Sequence, residues 1–388
     1  MDPIPADSAP PETSWESLSH LLNLSNPLFD QTLFLMGYDF SSNIYLIKGD
    51  YLSLIDAGND YTAFMELFDL GVNLADIKKI VLTHGHVDHC MGAVELFRAY
   101  RRDSKDLNVE IILHEAGPEM FKEMVREIGY RLIEVKGGEI LSLSGFDFEV
   151  IHTPGHTLDS ISLYHASSRT LFSGDVVLAQ AMAEPDQAGG GRLDHYLYSL
   201  RTLRKKSIDH IMPGHGPIAP RIGQQVVADT YEGLIKKAVG LETPWLAGAM
   251  QLAQQGLLEE ALFFSNKELA ENPENARALE MKAFVLNDLG RNNEALEVFN
   301  KILAQDSRHF YALLGKGAAF LGLGDYAACL EYFDRALEIK PTDHEALLNK
   351  GMALYLGGRH DEALDIEVFQ KEFTSRIKQE LEGRPQTP

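Results

Sequence analysis

A 34-residue period runs through the C-terminal part of this chain. Gly256, Gly290, Gly324 and Gly358 are each 34 residues apart, and so are Leu262, Leu296, Leu330 and Leu364. The residue before each of those leucines is small: Ala261, Ala295, Cys329 and Ala363. Leu269, Leu303 and Leu337 keep the same step, and Pro273 and Pro341 bracket two units with Ser307 between them. A fixed period confines a fold more tightly than composition does. Each unit must be one supersecondary element that buries its apolar face on its neighbours. Small residues at a constant place allow two helices to cross closely, and the pattern is purely helical from about residue 242 onward.

The units are expected over about 242–275, 276–309, 310–343 and 344–377. Trp245, Leu279, Leu313 and Leu347 hold a large apolar position in the first helix of each, and Ala249, Ala283, Gly317 and Gly351 a small one four residues later. This pattern resembles the tetratricopeptide repeat. The resemblance implies an all-α solenoid over 242–388 whose concave face takes a peptide or another protein chain. Self-association, or closure over an active site, are the other uses such a face has. The fourth unit departs in its second helix, where Glu367 stands in place of the aromatic at Phe299 and Phe333; a polar outer face suits a terminal cap.

Before residue 242 the texture differs. Short apolar runs alternate with helical stretches: strands at 31–36, 43–47, 51–55, 109–113, 139–143, 146–151, 161–165, 170–172 and 210–212, with helices at 61–70, 92–100, 119–128, 196–206 and 222–239. Such interleaving predicts a mixed α/β domain, with helices covering its sheets, over residues 29–240. Residues 1–28 carry Pro3, Pro5, Pro10 and Pro11 among small and acidic residues and are expected to be a mobile leader, with one short helix around residues 15–24.

Within this domain the buried run Ile80-Val81-Leu82 ends in Thr83-His84-Gly85-His86-Val87-Asp88-His89. Imidazole and carboxylate are ligands for zinc, iron and manganese, and a loop held by a strand aims several at one point. The same device recurs: Thr153-Pro154-Gly155-His156-Thr157 follows one apolar run, Ser173-Gly174-Asp175 another and Pro213-Gly214-His215-Gly216 a third. Each donor sits where a strand gives way to a tight turn.

Taken in this order, the turns resemble those of the metallo-β-lactamase superfamily across about residues 29–240, which implies the αββα sandwich of that family. The resemblance implies a dinuclear centre: His84, His86 and His156 on one metal, Asp88, His89 and His215 on the other, Asp175 bridging, and Asp88 also in the catalytic role. Two divalent ions are expected, zinc foremost, with iron or manganese as alternatives. A hydroxide between them would attack an electrophilic carbonyl or phosphorus. Asp56, at the end of an early strand, resembles a family aspartate that orients a ligand such as His84; capping a turn is its other reading. Thr157 is either a similar support or a turn hydroxyl. Histidine at position 86 sets aside the flavodiiron branch, which has glutamate there, while the mononuclear persulfide dioxygenases share the motif. The turns look like those of glyoxalase II-like thioesterases, lactonases and the lactamase-β-2-like nucleases. The loop 180–193 is a lid over the metals or a solvated connection; His195, Tyr196, Tyr198, Tyr38 and His114 line the pocket or pack elsewhere.

Composition trims the alternatives. A net charge of −22 repels phosphate backbones, so nucleic acid is a disfavoured partner. Cys90 and Cys329 are far apart, which fits a reducing compartment; Cys90 is either a small buried residue or a thiol near the metal. The N-terminus lacks a signal-peptide pattern and no run reaches a membrane span, so a cytoplasmic protein is expected. Three functions follow: a dinuclear hydrolase of a small ester, thioester or lactone with a repeat domain for protein interaction; a single-strand RNA nuclease of the same fold; or an adaptor whose main role is the repeats.

Overall fold

Two sheets build the first part of the chain. In the computed structural model, which describes residues 15–38, 40–59, 62–69, 71–100 and 108–382, one sheet contains β1 (Glu16–Ser17), β2 (Thr32–Leu35), β3 (Ile44–Ile47), β4 (Leu52–Ile55), β5 (Ile77–Val81), β6 (Glu110–His114) and β7 (Arg131–Val135), in that spatial order. The other contains β8 (Ile140–Leu143), β9 (Phe146–His152), β10 (Ile161–His165), β11 (Thr170–Gly174) and β12 (His210–Pro213), again in sequence order. The chain divides into two compact units, Met1–Ile235 and Lys236–Pro388.

Side-chain alternation assigns the faces. Phe34, Tyr45, Ile55, Val81 and Ile112 of the first sheet pack with Phe148, Val150, Leu163, Phe172 and Met212 of the second in one core. The residues that alternate with them, Leu35, Ile44, Leu54, Ile80 and Ile111, face away and pack against Phe64, Val94, Phe121 and Val125. Those four lie on α3 (Thr62–Asp69), α4 (Val87–Tyr100) and α5 (Glu119–Ile128). On the far side of the second sheet, α6 (Leu193–Arg204) buries Tyr196, Leu197, Leu200 and Leu203, and α7 (Gly223–Val239) buries Val227, Tyr231 and Leu234. The order is helix, sheet, sheet, helix.

Strand direction then places the site. β4 and β5 are parallel; β9 and β11 are both antiparallel to β10 and so parallel to each other, and β11 is parallel to β12. The C-terminal ends of β9, β11 and β12 therefore lie at one edge of the second sheet, as those of β4 and β5 do in the first. Backbone bonds sew the two edges together: Ile161 N to Thr83 O at 2.7 Å, and Asn43 N to Gly214 O at 2.7 Å.

Three expectations need correction. Residues 15–28 are not a mobile leader: Glu16–Ser17 pairs with Leu33–Phe34, and Trp15, Leu18, Leu22 and Leu28 are buried. This stretch holds α1 (Leu18–Leu22) and α2 (Pro27–Asp30); Pro3, Pro5, Pro10 and Pro11 lie outside the described residues. The edge strand β7 escapes the apolar-run criterion because Arg131 and Glu134 face solvent on it. The helix expected at 92–100 starts at Val87, so Asp88 and His89 occupy its first turn rather than the loop. The expected helix ends Tyr61 and Leu70 fall outside the described residues.

The second unit is a run of paired helices: α8 (Trp245–Gln254), α9 (Leu258–Glu271), α10 (Ala276–Asp288), α11 (Asn292–Gln305), α12 (Phe310–Leu323), α13 (Tyr326–Ile339), α14 (His344–Leu356), α15 (His360–Leu364) and α16 (Glu367–Glu382). Gly256, Gly290, Gly324 and Gly358 take φ between +72° and +83° in the turns inside each pair, which explains their period. Asn275, His309 and Asp343, also 34 apart, accept the N–H of Ala278, Ala312 and Ala346 as N-caps. The fourth pair restores its missing aromatic by a break. The chain interrupts the helix between Leu364 and Glu367, and buried Phe369 then packs on Gly351 as Phe333 packs on Gly317. Among the described residues, no helix is long and apolar enough to cross a membrane.

Candidate metal centre

The structure brings all seven expected donors to the shared sheet edge. His84 and His86 occupy the turn after β5, Asp88 and His89 the first turn of α4, and His156, Asp175 and His215 the turns after β9, β11 and β12. Their donor atoms fall into three groups, each within 4.8 Å: His84, His86 and His156; His84, His89 and Asp175; Asp88, His89 and His215. His84 Nε2 lies 3.0 Å from His86 Nδ1, which lies 3.2 Å from His156 Nε2. His89 Nε2 is 3.2 Å from His215 Nε2.

Outer partners decide which nitrogen carries each proton. His156 Nδ1 donates to the Glu184 carbonyl at 2.7 Å, so its Nε2 turns a lone pair inward. His89 Nδ1 donates to Asp56 Oδ2 at 2.9 Å. His86 is reversed: Nε2 faces Asp186 Oδ2 at 3.0 Å and Nδ1 faces the cluster. Thr83 Oγ1 gives its proton to Asp56 Oδ2 at 2.8 Å and so accepts from His84 Nδ1 at 3.3 Å. Three lone pairs thus meet with no proton among them, an arrangement that a cation satisfies.

The charge pattern agrees. Burial, reinforced by the neighbouring His89, holds His84 well below the usual imidazole range, and burial likewise lowers His156, leaving neutral ligands. Burial opposes a charged His89, but the Asp56 and Asp175 carboxylates raise it well above that range. The hydrogen bond to Asp88, 3.0 Å away, raises His215. Burial opposes ionisation of Asp175 and Asp88, yet His89 beside the first and the His215 hydrogen bond to the second keep both below the usual carboxylate range. Asp175 Oδ1 is buried with no hydrogen-bond partner. An ionised, orphaned carboxylate oxygen beside converging imidazole lone pairs fits divalent cations.

Comparison with known proteins agrees with this geometry. Residues 37–215 match the sequence profile of the metallo-β-lactamase superfamily, and residues 285–344 and 314–371 match that of the tetratricopeptide repeat. A probable metallo-hydrolase of Methanocaldococcus jannaschii is 33% identical over 200 residues, 48% of this chain and 94% of that protein. The chain belongs to the metallo-β-lactamase superfamily. It is a metallo-hydrolase with tetratricopeptide repeats, on a fold that typically binds two divalent metal ions. The hydroxyacylglutathione hydrolase GloC of Haemophilus influenzae is 30% identical over 200 residues, 48% of this chain and 90% of that protein. An atrochrysone carboxyl ACP thioesterase of Aspergillus aculeatus is 24% identical over 191 residues, 48% of this chain; the match spans about half of that protein, 54%.

Within this superfamily domain, support for the donors comes from residues of uneven visibility. Asp56 holds a left-handed φ of +56° and accepts from Thr83 N at 2.7 Å; the imidazole it orients is His89, not His84. Asn43 Nδ2 clamps the His215 turn through Pro213 O at 2.9 Å and Gly216 O at 2.8 Å. Tyr196 is buried behind the site, its hydroxyl donating to Val176 O at 2.8 Å. Thr157 is a turn hydroxyl bonded to Ser160 Oγ at 2.7 Å. Cys90 is buried under the cluster, outside the three donor groups, and burial pushes its thiol up to about 12. His114 stacks on His152 with ring centroids 3.9 Å apart. The loop 180–193 is neither a free lid nor a loose connection, because Asp186 N donates to His156 O at 2.7 Å and Leu158 N to Gly189 O at 2.9 Å. Asp186 and the Glu184 carbonyl are contacts that sequence reading missed. Their partners lie 100 and 28 residues away, and only the Asp186-to-Gly189 turn marks the place.

Proposed function

We propose that the superfamily domain, taken as residues 15–240, is a dinuclear hydrolase of small thioesters, esters and lactones, thioesters foremost, and that residues 242–388 engage a protein or peptide partner. The observation that carries this reading is the convergence of seven donors from four strand ends on lone pairs without protons. One ion would be held by His84, His86 and His156 and the other by Asp88, His89 and His215, with Asp175 between; zinc is the foremost candidate, iron and manganese the alternatives. Bound there, the ions supply Lewis acidity and bring the pKa of water toward neutrality. Asp56, Thr83 and the Glu184 carbonyl keep the imidazoles in the ligating tautomer. Asp88 takes the open side, its side chain 24% exposed against 10% for Asp175.

Three observations support a small electrophile as substrate. GloC is named a hydroxyacylglutathione hydrolase and the Aspergillus protein an ACP thioesterase. The net charge of −22 opposes a polyanion. Exposed Tyr38 and Phe40 also sit on the loop tied to the site through Ser42 N to Asp88 O at 3.0 Å, which suits an apolar acyl group. The two buried free thiols suit a reducing compartment, the cytoplasm.

The test is a panel of thioesters, esters and lactones given to protein of measured metal content. Thioester hydrolysis lost in His84→Ala is expected. Two bound ions with no turnover across the panel sinks the reading, and RNA cleavage lost in His84→Ala transfers the site to a nuclease.

A further inference from the structure

We infer that Asp186 is a positioning residue that acts through His86 and governs the affinity of one of the two cation positions while sparing the other. The inference rests on the dinuclear reading above. Among His84, His86 and His156, only His86 presents Nδ1 to the cluster, because its Nε2 faces Asp186 Oδ2 at 3.0 Å. An imidazole proton sits on one ring nitrogen or the other, so an acceptor fixed at Nε2 frees Nδ1.

Asp186 is built to be such an acceptor. Its Oδ1 receives Ala188 N at 3.0 Å and its Oδ2 receives Gly189 N at 3.0 Å, which locks the carboxylate plane. Its backbone N–H donates to His156 O at 2.7 Å, and its carbonyl accepts Gly191 N at 2.7 Å. A Cβ at Gly191 would lie 2.2 Å from His156 O, so the loop is seated directly on the His156 turn. Two residues earlier, the Glu184 carbonyl accepts His156 Nδ1 at 2.7 Å. Residues 184–186 thereby set the proton positions of two imidazoles on one side of the centre.

The other side has separate supports. His89 is held by Asp56, and the His215 turn by Asn43. Among the described residues, Asp186 bonds to His86, His156, Ala188, Gly189 and Gly191 and to none of Asp88, His89 and His215, so its effect is one-sided. His86 and Asp186 are 32% and 34% exposed, so water competes at the mouth and the expected effect is an outer-sphere one, about 10–100-fold in metal affinity.

The test uses the full chain, zinc(II) and a competing chelator, with a cobalt(II)-substituted sample for its visible spectrum. Asp186→Ser keeps a hydroxyl for the Ala188 and Gly189 amides but is too short to reach His86; Asp186→Asn keeps an acceptor for His86 Nε2. Asp186→Ser is expected to weaken one of two ions about 10–100-fold and alter one cobalt environment, Asp186→Asn to restore most of both, and Asp186→Ser to add nothing in a His86→Ala background. Unchanged affinities in Asp186→Ser, equal weakening of both ions, or an additive loss on His86→Ala overturns the inference. A wild-type chain that binds no zinc overturns the dinuclear reading instead, a separate result.

Discussion

At Gly214 in the first unit a Cβ would lie 2.3 Å from Asp175 Oδ1 and 2.7 Å from His89 Cε1. At Gly256, Gly290, Gly324 and Gly358 in the second, a Cβ would meet nothing within 4 Å, and only the positive φ calls for glycine. The first glycine leaves space for chemistry; the others set a backbone angle repeated every 34 residues. A single constellation of donors tolerates no substitution at its crowded points, whereas a stacked array spreads its requirements over equivalent positions. The two units should therefore fail differently.

The largest difference should come from metal removal. Chelation is expected to abolish hydrolysis and lower the stability of the first unit by about 4 kcal/mol for a site that had been a thousandfold saturated. The repeat unit, with no donor group among its described residues, should keep its melting transition. Calorimetry with and without chelator checks this, and a matching shift in both units breaks the comparison. Next, Gly214→Ala should overpack the site at about 1–3 kcal/mol and reduce bound metal below two ions, read by metal analysis of purified protein; full occupancy would show that the crowding is relieved elsewhere. Gly324→Ala should cost about 1–2 kcal/mol through backbone strain alone and leave metal content unchanged, as thermal melting and metal analysis can show together. Smallest, Asp343→Ala should remove an N-cap worth about 1 kcal/mol. Its denaturant midpoint should fall with no change in hydrolysis.

Features written locally were legible in the sequence. The donor turns announce themselves because each follows an apolar run and is flanked by Gly, Pro or Ser, and the repeat glycines because only one residue type adopts their φ cheaply. Features that depend on distant partners were not. Asp186 and His86 are 100 residues apart, and nothing near either names the other. Asp56 was visible at a strand end, yet which imidazole it holds depends on how α4 begins, at Val87 instead of Gly92. Trp15 and Leu18 sit behind a proline-rich start that hides their burial. Phe369 was missed because the helix break shifts it two places out of the 34-residue register.

The spread of the donors along the chain sets an order of events during synthesis. His84 emerges first and His215 last, and His215 follows β12, which pairs with β11 at the end of the second sheet. A cation caught early meets at most the cluster from His84 to His89, a fraction of the final coordination. Full capture of the ion proposed for Asp88, His89 and His215 must wait until β12 has docked, and so would report that the whole sandwich is assembled. On the proposed dinuclear reading, metal loading would be a checkpoint on folding, and chains arrested before residue 215 should leave the ribosome without their full complement of ions.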